Sequence, residues 1–298
     1  MPLQILTPHT KDLGGGFEVR RLLPAAQRQS VGPFVFFDHF GPITAGPGDD
    51  HDVRPHPHIG LATVTYLFEG AMQHRDSTGV SRRIEPGAIN WMTAGRGIVH
   101  SERTPDDLRG TTRRSHGLQL WAALPAEHEE TVPHFEHTAA ARLPQRLEDG
   151  ATLRVLIGHA HGLTSPVGTL SPTLYVDYAL APGARVALPS PQQAEERALY
   201  GVDAPFELEL GGAVERIEPF TLVVLPAGSA ATLCASGAAG ARVVLIGGAP
   251  LGHRHIWWNF VSSSKERIAQ AAADWEADRL GQVPGETERI PLPVRRPG

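Results

Sequence analysis

Short apolar runs alternate with polar positions along most of the chain, and glycine or proline punctuates them. In the first half the runs fall at residues 17–23, 31–40, 63–68, 82–84 and 116–124. In the second they fall at 152–157, 173–178, 206–210, 221–225 and 242–246. Turn signals stand between them, among them Glu69-Gly70, Pro86-Gly87, Pro182-Gly183 and Ala227-Gly228. A period of two between such turns predicts strands with one face buried, and this many strands predict an all-β chain of barrels. Along 116–124, placing Leu118 and Leu120 on the packing side puts Gln119 on the opposite face, with Gly117 and Trp121. The rhythm changes once. Ser263 with Glu266 three residues on reads as a capping box, and Ile268, Ala271, Ala272 and Trp275 fall on one face of the helix that follows. Beyond it, Ile290-Pro291-Leu292-Pro293 reads as extended.

Composition adds limits. The 298 residues, 41% hydrophobic and 20% charged, can bury a sizeable core in one large or two medium domains. A formal charge of -5 with no basic stripe argues against nucleic acid as a direct ligand. The single cysteine, Cys234, lies in an apolar run, which rules out an internal disulfide and fits an inert buried thiol in a reducing compartment. With no secretory pattern and no apolar run of membrane length, the chain is expected to be cytoplasmic.

The chemistry concentrates between His56 and Glu102. His56-Pro57-His58 opens this stretch and His100-Ser101-Glu102 closes it. On a strand, residues two apart project from the same face, so each pair can aim at one point. Two facing strands would then offer three imidazoles and one carboxylate to a single cation. Nitrogen donors suit a first-row transition metal and not calcium, which takes oxygen ligands. Four protein ligands leave two octahedral positions for water, dioxygen or substrate. Other candidates carry less. His39 beside Asp38 reads as a hydrogen-bonded structural histidine, and His51 as a solvent-facing loop residue. His74 and Asp76 read as strand and turn. His128, His134 and His137 lie in a region, 125–144, that reads as a solvated connector. His159 and His161 have no second pair downstream and read as loop residues.

Residues 55–66 and the run Trp91-Met92-Thr93-Ala94-Gly95-Arg96-Gly97-Ile98-Val99-His100-Ser101-Glu102 resemble the pirin family of the cupin superfamily. So do residues 34–42, 116–121 and the segment 250–260. The resemblance implies a bicupin, two tandem jelly-roll β-barrels with a C-terminal α-helix packed across the first. It places a metal-binding cupin domain at 1–140, and at 141–298 a cupin domain without metal ligands, plus helix and tail. It implies His56, His58, His100 and Glu102 as ligands of one divalent metal. Iron(II) is the first choice, with Mn, Ni, Cu, Co or Zn as alternatives.

The implied activity is that of a quercetin 2,3-dioxygenase, an oxidoreductase without organic cofactor. Glu102 would take the proton of the flavonol 3-hydroxyl, and reaction with dioxygen would open the ring and release carbon monoxide. The resemblance equally allows an iron-binding, redox-sensing regulatory partner of another protein. Expected partners are therefore a small aromatic flavonol and dioxygen, or a protein, with no nucleic acid and no membrane, around a monomer. A zinc-dependent sugar-isomerase-type cupin fits the ligand spacing but not the pirin motifs. Two departures stand out. Many pirins carry Glu at the position of Ala62 and Asp at that of Ala88, and their loss here would alter hydrogen bonding around the ligands.

Overall fold

The computed structural model describes residues 3–14, 16–235 and 237–293. The chain is an all-β bicupin, and among the described residues Lys265–Glu276 is its one α-helix. Among the described residues no helix is long and apolar enough to cross a membrane. The chain divides into two compact units, Met1–Thr10, Arg20–Asp38 and Thr138–Pro250 in one, Lys11–Val19, His39–His137 and Leu251–Gly298 in the other.

In the unit that carries His56, a four-stranded sheet runs in the order Val53–His58, Ile98–Arg103, Met72–Asp76, Ser81–Ile84. The second sheet holds, side by side, His134–Thr138, Ile89–Thr93, Leu61–Glu69 and Arg113–Ala123. Leu61–Glu69 is central because it pairs on both sides, Val64 opposite Trp91 on one and Leu120 on the other. Val64, β-branched, and Trp91, aromatic, are the kinds of side chain a doubly paired, buried strand selects, and Leu120 adds apolar bulk.

The helix forms where the pattern predicts it. Ile268, Ala271, Ala272 and Trp275 are its buried face, and they pack on Ile59, Val99 and Phe260. The cap lies one residue later than expected. Ser264 Oγ accepts from Arg267 N at 3.2 Å, while the Ser263 hydroxyl and amide are taken by the Glu129 carboxylate. A division at residue 140 would place this helix with the second barrel, whereas the compact units group 251–298 with residues 39–137. The reason is a parallel bridge between Ile59 and Phe260 and the apolar cluster built on it.

Gly60 makes this docking possible. Its φ is +66°, and a Cβ there would lie 2.0 Å from Val261 O. Gly60→Ala is therefore expected to destabilise the protein by about 2 kcal/mol or more, from left-handed strain plus the displaced 259–261 segment. Denaturant unfolding measures this directly.

The other unit repeats the architecture. Its seven-stranded sheet runs Gln4–Leu6, Leu222–Val224, Glu196–Gly201, Ala241–Gly248, Thr173–Leu180, Ala151–Ile157, Gln145–Glu148. Its four-stranded sheet is Arg185–Ala187, Ala231–Cys234, Phe206–Leu210, Ala213–Ile217. Leu153, Val155, Val176, Leu199, Val243 and Leu245 are among the buried side chains of its core. Arg197 is 2% exposed and donates to the carbonyls of Pro189 and Ser229.

Two histidine readings change. His51 is half-buried and stacks on Phe17, ring centroids 5.1 Å apart, because the loop folds back on the barrel. His134 and His137 lie on a strand, and His137 Nδ1 meets Asn90 Oδ1 at 2.7 Å. His161 is a loop residue as expected, in the turn between His159–Ala160 and Leu163–Thr164, with a ring nitrogen 2.8 Å from the Tyr178 hydroxyl.

Candidate metal centre

The strands Val53–His58 and Ile98–Arg103 pair antiparallel, with His56 opposite His100 and His58 opposite Ile98. A bulge between His100 and Glu102 twists the second strand away from the first. His56, His58 and His100 project together, and one ring nitrogen of each lies within 4.8 Å of the others. Their ring centroids are 4.4 to 5.0 Å apart. Among the described residues this is the group of three or more His, Cys, Asp or Glu side chains so arranged.

Backbone carbonyls orient two of the rings. His56 Nδ1 bonds the Arg54 carbonyl at 2.9 Å, and His58 Nδ1 bonds that of Asn259 at 3.1 Å. A carbonyl accepts only, so each Nδ1 carries the proton and each Nε2 presents a lone pair. Trp121 meets the His58 ring edge-on at 5.1 Å. His100 differs: it is 1% exposed, and neither Nδ1 nor Nε2 has a hydrogen-bond partner. A buried imidazole with both nitrogens unanswered is costly unless something else occupies one of them. Burial holds all three rings neutral, pushing His56 down to about 4, and His58 and His100 well below the usual histidine range. Three converging neutral imidazoles fit a first-row transition metal.

Glu102 lies beside this group and outside the 4.8 Å set. Its Oε1 accepts from Gln119 Nε2 at 3.0 Å, and Gln119 Oε1 accepts from Thr65 Oγ1 at 2.8 Å. Burial pushes its carboxyl up to about 7, with the Gln119 hydrogen bond acting the other way. Gln119 thus faces Glu102, on the side opposite Leu118 and Leu120 as its strand pattern predicts. The cavity that Glu102 lines is narrow, about 40 Å³, walled by Phe17, His51, Met72, Leu108 and Arg113 among others.

Sequence reasoning passed over the pair His74 and Asp76. Both are buried, with His74 Nε2 2.8 Å from Asp76 Oδ2. Asp76 stands opposite His100 and His74 opposite Glu102 in the strand register, so all four share a face. The His74 ring lies 5.4 Å from that of His100 and stacks on Phe135 at 4.3 Å. The spacing His-x-Asp on a strand next to the ligand strand was the available signal.

A jelly roll with three histidines converging inside it, joined to a second jelly roll, defines a bicupin with one candidate metal centre. Comparison with known proteins narrows this. The family description Pirin matches residues 16–122, and Pirin C-terminal cupin domain matches 175–281. A pirin-like protein of Caulobacter vibrioides is 47% identical over 288 residues, covering 95% of this chain and 96% of its own. The pirin of Homo sapiens is 34% identical, over 90% of this chain and 89% of its own. A crystal structure of quercetin 2,3-dioxygenase from Acinetobacter baumannii superposes with a TM-score of 0.87 at 34% identity, over 99% of this chain and 96% of that one. The chain belongs to the pirin family.

Proposed function

We propose that this pirin is a metal-dependent dioxygenase that cleaves flavonols such as quercetin. The observation that carries the reading is His100, a buried imidazole with no hydrogen-bond partner, one ring nitrogen of which lies within 4.8 Å of a ring nitrogen of His56 and of His58. His56, His58 and His100 would hold the metal, with iron(II) as first choice. A divalent metal there supplies the positive charge that stabilises the deprotonated 3-hydroxyl of a flavonol. Glu102 is the group placed to take that proton, and a carboxyl titrating near neutrality suits the task. Gln119, braced by Thr65, holds Glu102 Oε1, which leaves Oε2 for the substrate. Trp121 and the Asn259 carbonyl fix the plane of His58.

One feature favours a second reading. Pockets for small molecules run from about 300 Å³ upward, whereas the cavity at Glu102 holds about 40 Å³. A flavonol entering by this cavity, which none of the three histidines lines, requires the walls around Phe17, Met72 and Leu108 to part. A regulatory protein that holds iron and engages a protein partner needs no such opening.

Dioxygen uptake and carbon monoxide release with quercetin separate the two. Protein reconstituted anaerobically with iron(II), manganese(II), nickel(II), copper(II), cobalt(II) or zinc(II) is compared with chelator-treated protein. The expected result is turnover that requires the metal. Stoichiometric metal binding without turnover would remove the dioxygenase and leave the regulatory role.

A further inference from the structure

The strand that carries His100 and Glu102 on its inner face carries Ser101 and Arg103 on its outer face, as the period of two demands. Those outer residues are gripped by one side chain. Glu286 belongs to the irregular strap that follows the helix, and its carboxylate is buried, 6% exposed. Glu286 Oε1 accepts from Ser101 Oγ at 2.5 Å, and Oε2 accepts from Arg103 Nε at 3.0 Å and from Arg103 Nη2. Arg75, opposite Ser101 in the register, adds a guanidinium 3.9 Å away.

The same strap reaches the other ligand strand. Ile290 N donates to the Pro55 carbonyl at 2.8 Å, next to His56. It is itself moored, since Trp275 Nε1 of the helix donates to Ile290 O at 3.0 Å and Val283 lies in the apolar cluster with Val99 and Ile59. The strap thus holds both strands whose opposite faces present the histidines, and its charged grip falls between two of the inward-facing residues.

We propose that Glu286 is a positioning residue for the metal centre. It fixes the pleat of 100–103 from outside, so that His100 meets the cation, and Glu102 stands beside it, without rearrangement. Partners lying behind metal ligands alter affinity by about ten- to a hundredfold. By linkage the effect is reciprocal: a strap that tightens the metal is itself held more firmly when the metal is bound. This rests on the three-histidine group being a metal site.

Two measurements test it. In the first, chelator competition gives the cobalt(II) affinity of the wild type, Glu286→Ala and Glu288→Ala, with the cobalt(II) visible spectrum recorded for each. Glu288 contacts the same Arg103 through Nη2 at 2.6 Å but is half-exposed and does not reach Ser101. Glu286→Ala is expected to weaken cobalt(II) about ten- to a hundredfold and to shift its spectrum, with Glu288→Ala within about threefold of wild type. Arg103 keeps Asp52 at 3.7 Å and Glu288 when Glu286 is removed, so the barrel retains ionic partners for it. The second needs no variant. Amide hydrogen exchange across 280–293 of the wild type should slow on addition of cobalt(II), foremost at Ile290. Unchanged affinity and spectrum in Glu286→Ala, or strap exchange indifferent to the metal, would overturn the inference. A wild type that takes up no cobalt(II) would instead bring down the metal reading beneath it.

Discussion

Glu102→Gln should lower quercetin turnover by about 10²- to 10⁴-fold while changing metal affinity less than about tenfold. The geometry separates the two effects. Glu102 shares the inner face with His100 two residues earlier, yet its carboxylate oxygens lie outside the set of three imidazole nitrogens. Gln119 Nε2 holds Oε1, and Gln119 is braced in turn by Thr65, so the carboxyl has a fixed place independent of any cation. Glutamine keeps the volume and an acceptor for Gln119 but removes the base. A carboxyl raised to about 7 by burial can accept a proton at neutral pH without binding it too tightly, and the amide cannot. Quercetin consumption and chelator competition on the same preparations decide the matter. If the metal leaves with the carboxylate, Glu102 is a fourth ligand, as the resemblance to pirins implies. If both turnover and affinity are unchanged, Glu102 has neither role.

The difference between these outcomes marks where the sequence stops being legible. The pair His56 and His58 and the pair of His100 with Glu102 are readable because a strand turns alternate residues to one face, and local spacing records that. Ile268, Ala271, Ala272 and Trp275 are readable for the same reason at a helical period. The strand Phe206–Leu210 coincides with its apolar run residue for residue. What local spacing cannot record is which distant group completes a site. The Asn259 carbonyl meets His58 across 201 residues, and Glu129 meets Ser263 across 134, which moves the helix cap to Ser264. His74 and Asp76 look like any polar pair near a turn until the register sets them opposite Glu102 and His100. The segment after Pro250 groups with residues 39–137 because Phe260 bridges to Ile59, and a linear cut at 140 has no access to that contact.

Glu129 is the residue whose loss should cost the fold most. Its carboxylate is 5% exposed and accepts from Ser262 Oγ at 2.8 Å, Ser263 N at 2.9 Å and Ser263 Oγ at 3.0 Å. The Arg254 guanidinium, 7% exposed, stands 3.0 Å away through Nε. That nitrogen is not aligned for a hydrogen bond, so the attraction is mainly coulombic. Arg254 also donates to the carbonyls of Leu124 and Leu251. Glu129→Ala leaves a buried cation without its counter-charge and a buried amide without its acceptor. Removing one partner of such a pair costs about 3–5 kcal/mol, out of a total stability of about 5–15 kcal/mol. Thermal unfolding should fall on the order of 10 °C. Because Asn259 sits between Arg254 and Ser262, the loosened segment also frees the carbonyl that orients His58, and metal retention should weaken with stability. The double variant Glu129→Ala with Arg254→Met removes both charges and should recover much of the loss, since an apolar pair can replace a buried ionic one. Should the double variant unfold as readily as Glu129→Ala, the hydrogen bonds to Ser262 and Ser263, and not the charge pair, hold the segment to the barrel.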